Sequence, residues 1–321
     1  MAEADDGSFW LTTNQGLVRR LPDGRLILYP SDATLEESRT SFLLSEGQRV
    51  WYTRGLEFYI FKPEPLEHLA NLGPVTVHSL TPTYVLPANT GIETRLPQQP
   101  GEILRLLAGE FLARYSASQL YQTADRHIWL TMDRELIEFD GRVFHRFTAA
   151  QGLPPTMRGI AEDSAGNLWI GGQTMLIRLD RRGLISYGEA DGFHSAAIYA
   201  INEAPDGALY FADKDLYLSR FDGARLATVR PLIAGNPRLV WASHYAFIDS
   251  HNEWWILTDG RLYRFAAADL QKPLPTYTSR DGLKTDAMFQ IYEDRRGTLW
   301  VSVRPANFAY NGLARFDRRQ N

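Results

Sequence analysis

Seven histidines and no cysteine bound the chemistry this chain can carry. The histidines are His68, His78, His127, His145, His194, His244 and His251, and none stands at His-x-x-x-His or His-x-His spacing. A zinc site therefore has no local signature, and only convergence from distant loops would build one. The absence of cysteine excludes disulfides, thiolate ligands and thiol nucleophiles. No Gly-x-Ser-x-Gly elbow anchors a hydrolase triad. Gly171-Gly172 reads as part of a strand hairpin, not as a phosphate loop ahead of a helix. The acidic pairs Glu162/Asp163 and Glu293/Asp294 have the residue types of an acid–base couple, but they recur at one position of a repeated unit. A catalytic pair is needed once, whereas a structural feature repeats. Asp163-Ser-Ala-Gly-Asn167 also lacks the alternating acidic ligands and terminal Glu of a calcium loop. Asp capping a tight turn, with Gly at positive φ, accounts for it. No catalytic residue, metal ligand or cofactor is assigned.

The elements that would position any site follow from the repeat. One copy runs Ile160-Ala-Glu-Asp-Ser-Ala-Gly-Asn-Leu-Trp-Ile-Gly-Gly172 and continues through Leu176-Ile-Arg-Leu-Asp180; another runs Ile291-Tyr-Glu-Asp-Arg-Arg-Gly-Thr-Leu-Trp-Val301 and continues to Asp317. The aromatic anchors are Trp10, Trp51, Trp129, Trp169, Tyr210, Trp255 and Trp300. They stand about 40 to 45 residues apart, except for one gap of nearly twice that length, into which a degenerate unit ending at Ile103–Tyr115 fits. This gives eight repeat units. Apolar pieces of about five residues between Gly/Asp turns are strands, too short for helices. Leu168-Trp-Ile170 and Leu299-Trp-Val301 are apolar on consecutive residues, as strands covered on both faces must be. The expected fold is all-β: a β-propeller of four-stranded antiparallel blades, seven or eight in number, forming one domain over residues 1–321. The chain is expected to open on the second strand of one blade and to stop after the third strand of another. Residues 63–100, rich in proline, are a degenerate blade or an insertion.

Hydrophobic and charged contents of 44% and 22% exclude a disordered chain. A net charge of −4 gives no reason to expect nucleic acid or an anionic membrane surface. Neither a signal peptide nor a membrane-spanning run is visible.

Glu162-Asp163, Gly166-Asn-Leu-Trp-Ile-Gly171 and the later Arg-Leu-Asp, with Glu293-Asp294, Gly297-Thr-Leu-Trp300 and Gly312-Leu-Ala-Arg-Phe-Asp317, resemble the two-component regulator propeller repeat. Gln151-Gly-Leu-Pro-Pro155 and Asp281-Gly-Leu-Lys284 resemble its inter-unit linker. The likeness is strong from about residue 120 to 317 and poor from 64 to 100; Tyr210 departs from it, standing in place of Trp. The resemblance implies a non-catalytic, periplasmic or extracytoplasmic sensor segment of a larger receptor. It implies output domains elsewhere in that receptor, homodimerisation of the whole, and a small-molecule or oligosaccharide ligand. The enzyme alternative is a lyase resembling the streptogramin lyases, which need a His base and a metal-binding Glu facing each other on the axis; His194 or His244 is the candidate base, no Glu is nominated, and a His and a Glu within about 7 Å across the channel would discriminate it. A protein-interaction scaffold is the third reading.

Residues that break the repeat are the better ligand candidates. Entries to first strands share one end of a blade with the hairpins that follow the Trp strands. At the entries, the expected ligand-binding residues are Arg158, His194, Trp241, His244, Lys284 and Asp286. At the hairpins stand Arg54, Asp133, Gln173, Asp213-Lys-Asp215, Asp259 and Arg304. Such a mouth is expected to suit an acidic or hydroxyl-rich ligand, with a ring stacked on Trp241.

Overall fold

The computed structural model describes residues 1–321 apart from 14–15, 31–42, 55–56, 78–83, 88–95, 101, 108–116, 133, 181–182, 224, 235–244, 259, 282, 284–287, 304–311 and 317–321. The strands form seven sheets, and each takes its second strand from around one of the seven aromatic anchors. The fold is an all-β, seven-bladed propeller. The eighth unit is not a separate sheet: Ile103–Leu107 pairs antiparallel with Glu57–Phe61 and becomes the fourth strand of the second sheet.

The chain groups into two compact units, Met1–Thr148 and Ala149–Asn321. The first holds three sheets. Its first sheet begins with the short strand Ala2–Glu3, paired to Phe9–Thr13, so the chain does not open on a second strand. The proline-rich segment supplies a short 3-10 turn at Leu66–Leu69 and two strands that join existing sheets in parallel. Val75–Val77 lies beside Leu26–Pro30, and Tyr84–Pro87 beside Ile103–Leu107. Trp10, Tyr29 and Phe61 pack into one core cluster, and Trp51, Phe58 and Phe139 into another.

The second unit holds three four-stranded antiparallel sheets and a last sheet of three described strands, Met288–Glu293, Leu299–Val303 and Gly312–Phe316. Leu168–Gly172 is buried at every residue, as its unbroken apolar run requires. Glycine is required there because a Cβ on Gly171 would lie 2.7 Å from the carbonyl oxygen of Ile198, in the neighbouring sheet.

The repeated turn does more than reverse the chain. Asp163 Oδ1 accepts from the amides of Ala165 and Asn167, while Oδ2 accepts from Trp169 Nε1 at 2.7 Å. The same six-residue reach joins Asp249 to Trp255 at 2.5 Å and Asp294 to Trp300 at 2.8 Å. Where Ala204 replaces the aspartate, Tyr210 replaces the tryptophan. Where Ala4 replaces it ahead of Trp10, the buried indole nitrogen has no hydrogen-bond partner among the described residues. The third-strand arginines stack on the anchors as well as pairing with acids. Arg178 and Arg264 lie 5.8 and 5.4 Å from the Trp169 and Trp255 rings, and they pair with Asp180 and Glu253.

Candidate functional site

In the fifth sheet the entry to the first strand and the hairpin after the second strand meet. The second strand, Leu209–Asp213, ends on an aspartate that is 2% exposed. Asp213 Oδ1 caps the hairpin by accepting from the amides of Asp215 and Tyr217, each at 2.9 Å. Leu216 takes the positive φ of 67° that closes this turn. The amide of Lys214 donates to the Ala197 carbonyl at 3.0 Å, which fastens the hairpin to the entry segment. From the start of the sixth unit, the Tyr245 hydroxyl donates to the Asp213 carbonyl. Burial raises the Tyr245 pKa well above its ordinary value and keeps the phenol protonated as that donor.

With Oδ1 committed to the turn, Asp213 Oδ2 faces His194 Nδ1 at 3.1 Å. Asp215 Oδ2 lies 3.9 Å from the same nitrogen and 2.7 Å from Lys214 Nζ. The hydrogen bond from Lys214 to Asp215 raises the lysine pKa. The His194 ring stacks on Tyr217, with centroids 3.6 Å apart and planes 11° apart, and Arg230 lies 5.6 Å from the Tyr217 ring. One donor atom from each of His194, Asp213 and Asp215 falls within 4.8 Å of the other two. One imidazole and two carboxylates can hold a divalent cation or accept the hydroxyls of a ligand. Histidine spacing did not reveal this group, because its members come from two loops.

Of the six expected ligand residues, Trp241, His244, Lys284 and Asp286 lie outside the described residues. Arg158 sits half-buried at an irregularity in the first strand of the fourth sheet, Met157–Glu162. Among the described residues no hydrogen bond or ion pair joins it to His194. Of the hairpin candidates, Asp133, Asp259 and Arg304 also lie outside the described residues. Gln173 is an exposed hairpin residue whose amide donates to the Thr156 carbonyl.

The other close histidine–acid pairs are structural. His127 Nδ1 meets Glu138 at 2.6 Å, and His145 Nε2 meets Asp140 at 2.9 Å. Both belong to the third sheet. Burial lowers the His127 pKa, but the Glu138 bond and the charges of Asp125, Glu138 and Asp140 outweigh it and leave the pKa raised. The described His–Glu pairs are His68–Glu64, His127–Glu138 and His251–Glu293, and His194 is in none of them.

No family model matches the chain, and no curated protein does. Solved structures share its fold. The extracellular domain of BT3049 from B. thetaiotaomicron, assigned to a hybrid two component system, is 16% identical with a TM-score of 0.66. That match covers 98% of this chain but only 38% of the other, so the present chain spans well under half the length of that domain. A streptogramin B lyase is 13% identical with a TM-score of 0.63, covering 94% of this chain and 89% of its own. A virginiamycin B lyase from Staphylococcus aureus, solved in a catalytically inactive His-to-Ala form with quinupristin, is 13% identical with a TM-score of 0.57. It covers 88% of this chain and 85% of its own. The resemblance read from the repeats thus holds at the level of the fold, which the chain shares with the extracellular domain assigned to a hybrid two component system and with lyases.

Proposed function

We propose that this chain is the ligand-sensing part of an extracytoplasmic signalling receptor and performs no chemistry of its own. The observation that carries the reading is the group formed by His194, Asp213, Asp215 and Tyr217, where an entry segment and a hairpin converge. Two carboxylates beside an imidazole and a lysine favour the hydroxyl-rich ligand over the acidic one, and an oligosaccharide fits that description. Trp241, by its place at the next entry, supplies a stacking surface in this reading. Output domains lie elsewhere in the receptor. The extracytoplasmic location is supported by the likeness to an extracellular domain, and among the described residues no helix is long and apolar enough to cross a membrane.

Titration calorimetry against a panel of neutral and acidic oligosaccharides tests the proposal. Saturable binding is expected, weakened at least tenfold by His194→Ala and by Trp241→Ala in chains that still unfold cooperatively. A panel that yields no binding overturns the reading.

A lyase is the second reading, favoured by the match to streptogramin B lyase over most of both chains. Within ion-pair distance His194 meets Asp213 and Asp215 and, among the described residues, no glutamate. Linearisation of quinupristin followed by chromatography, lost in His194→Ala, would establish the lyase and displace the sensor.

A further inference from the structure

A separate cavity of about 370 Å³ opens between the second and third sheets of the first unit. Its inner wall is Trp51, Ile128 and Phe139, all buried, with the Trp51 and Phe139 rings 5.4 Å apart. Its mouth carries Arg49, Arg126 and Glu46. Glu46 is engaged by Trp51 Nε1 at 3.1 Å, and Arg49 is steadied by the Pro97 carbonyl, 3.3 Å from its Nε. Neither arginine makes an ion pair among the described residues.

Arg126 is the telling residue. It closes the turn that precedes the Trp strand of the third sheet, at φ 71°. Four corresponding turns place Gly7, Gly166, Gly207 and Gly297 there, at φ 75° to 78°, and that of the sixth sheet places Asn252 there at 63°. A left-handed conformation costs an L side chain free energy and costs glycine almost none. The turn favours glycine, or asparagine as at Asn252, yet the chain keeps an exposed guanidinium at the cavity mouth.

We infer that this cavity binds a small organic carboxylate, with the Arg49 and Arg126 guanidiniums holding the carboxylate and the apolar end directed toward Leu96 and the inner wall. Guanidinium geometry matches a planar carboxylate through two parallel hydrogen bonds, which an ammonium cannot reproduce. The site shares no residue with the His194 group, so His194→Ala leaves it intact and the two proposals fail separately.

Calorimetry on the whole chain with benzoate and hexanoate, using benzamide and inorganic sulfate as controls, tests this. At least one carboxylate should bind saturably, with benzamide and sulfate each at least tenfold weaker. Arg126→Gly should raise the thermal midpoint while weakening carboxylate binding at least tenfold, and Arg49→Lys should weaken it severalfold with the charge retained. Three results overturn the proposal: neither carboxylate binds, sulfate binds as well as they do, or Arg126→Gly leaves their affinity unchanged.

Discussion

A carboxylate six residues ahead of an indole is the smallest device this chain reuses, and it is where single substitutions should have their clearest effects. Asp249→Ala would remove a turn cap and strand the buried Trp255 Nε1. It should cost about 1–3 kcal/mol in urea denaturation. Ala4→Asp is the converse: it offers Trp10 Nε1 the acceptor it lacks and should stabilise the fold by about 1 kcal/mol in the same assay. Titration gives a third test. The His127 pKa is raised in the folded chain, so its pairing with Glu138 stabilises most fully below the ordinary value of 6.5 and is lost as pH rises through the raised one. Stability should therefore fall as pH rises past about 6.5, by no more than about 1 kcal/mol given the histidine's exposure, and His127→Gln should reduce that slope. The Asp–Gly turn was legible from residue types alone. The reach to the indole was not, although the constant spacing and the joint replacement by Ala204 and Tyr210 record it.

Among the elements, the Trp strands were legible because consecutive apolar residues need cover on both faces, and Leu168–Gly172 has it. Gly171→Ala should cost about 1–3 kcal/mol, since its Cβ meets a neighbouring carbonyl at 2.7 Å. Gly188→Ala, with open space around it and no positive φ, is the matched control and should be nearly neutral in thermal melts. The strands within residues 63–100 were illegible for a physical reason. Three or four residues are too few to carry a periodic signal, and their parallel partners at Leu26–Pro30 and Ile103–Leu107 are chosen by tertiary packing. The same choice turned Ile103–Leu107, from the half-unit at 103–115, into the fourth strand of the second sheet, which is why eight units in the sequence become seven sheets.

At the scale of the whole molecule, the repeat named the fold, and it named the loop sets from which a site would be drawn. It did not say which loops meet. His194 and Asp213 are joined by the way Lys214 fastens to Ala197, a contact that no spacing announces. Pairing also sets the rank of local stability. Among the described residues Gly312–Phe316 is bonded on one side only, whereas Leu176–Asp180 is flanked on both. Amides of Gly312–Phe316 should exchange with deuterium faster than those of Leu176–Asp180. The aspartate–indole bond, finally, constrains how such a repeat can drift. A unit without the aspartate keeps its indole paired where another acceptor stands in, as Thr123 does for Trp129 at 3.3 Å and Glu46 for Trp51 at 3.1 Å, and otherwise buries an orphaned N–H, the condition of Trp10. A unit that loses both partners, as at Ala204 and Tyr210, escapes that penalty. The anchor position therefore tolerates loss of the aspartate without a buried orphan only where a substitute acceptor or a different aromatic accompanies it.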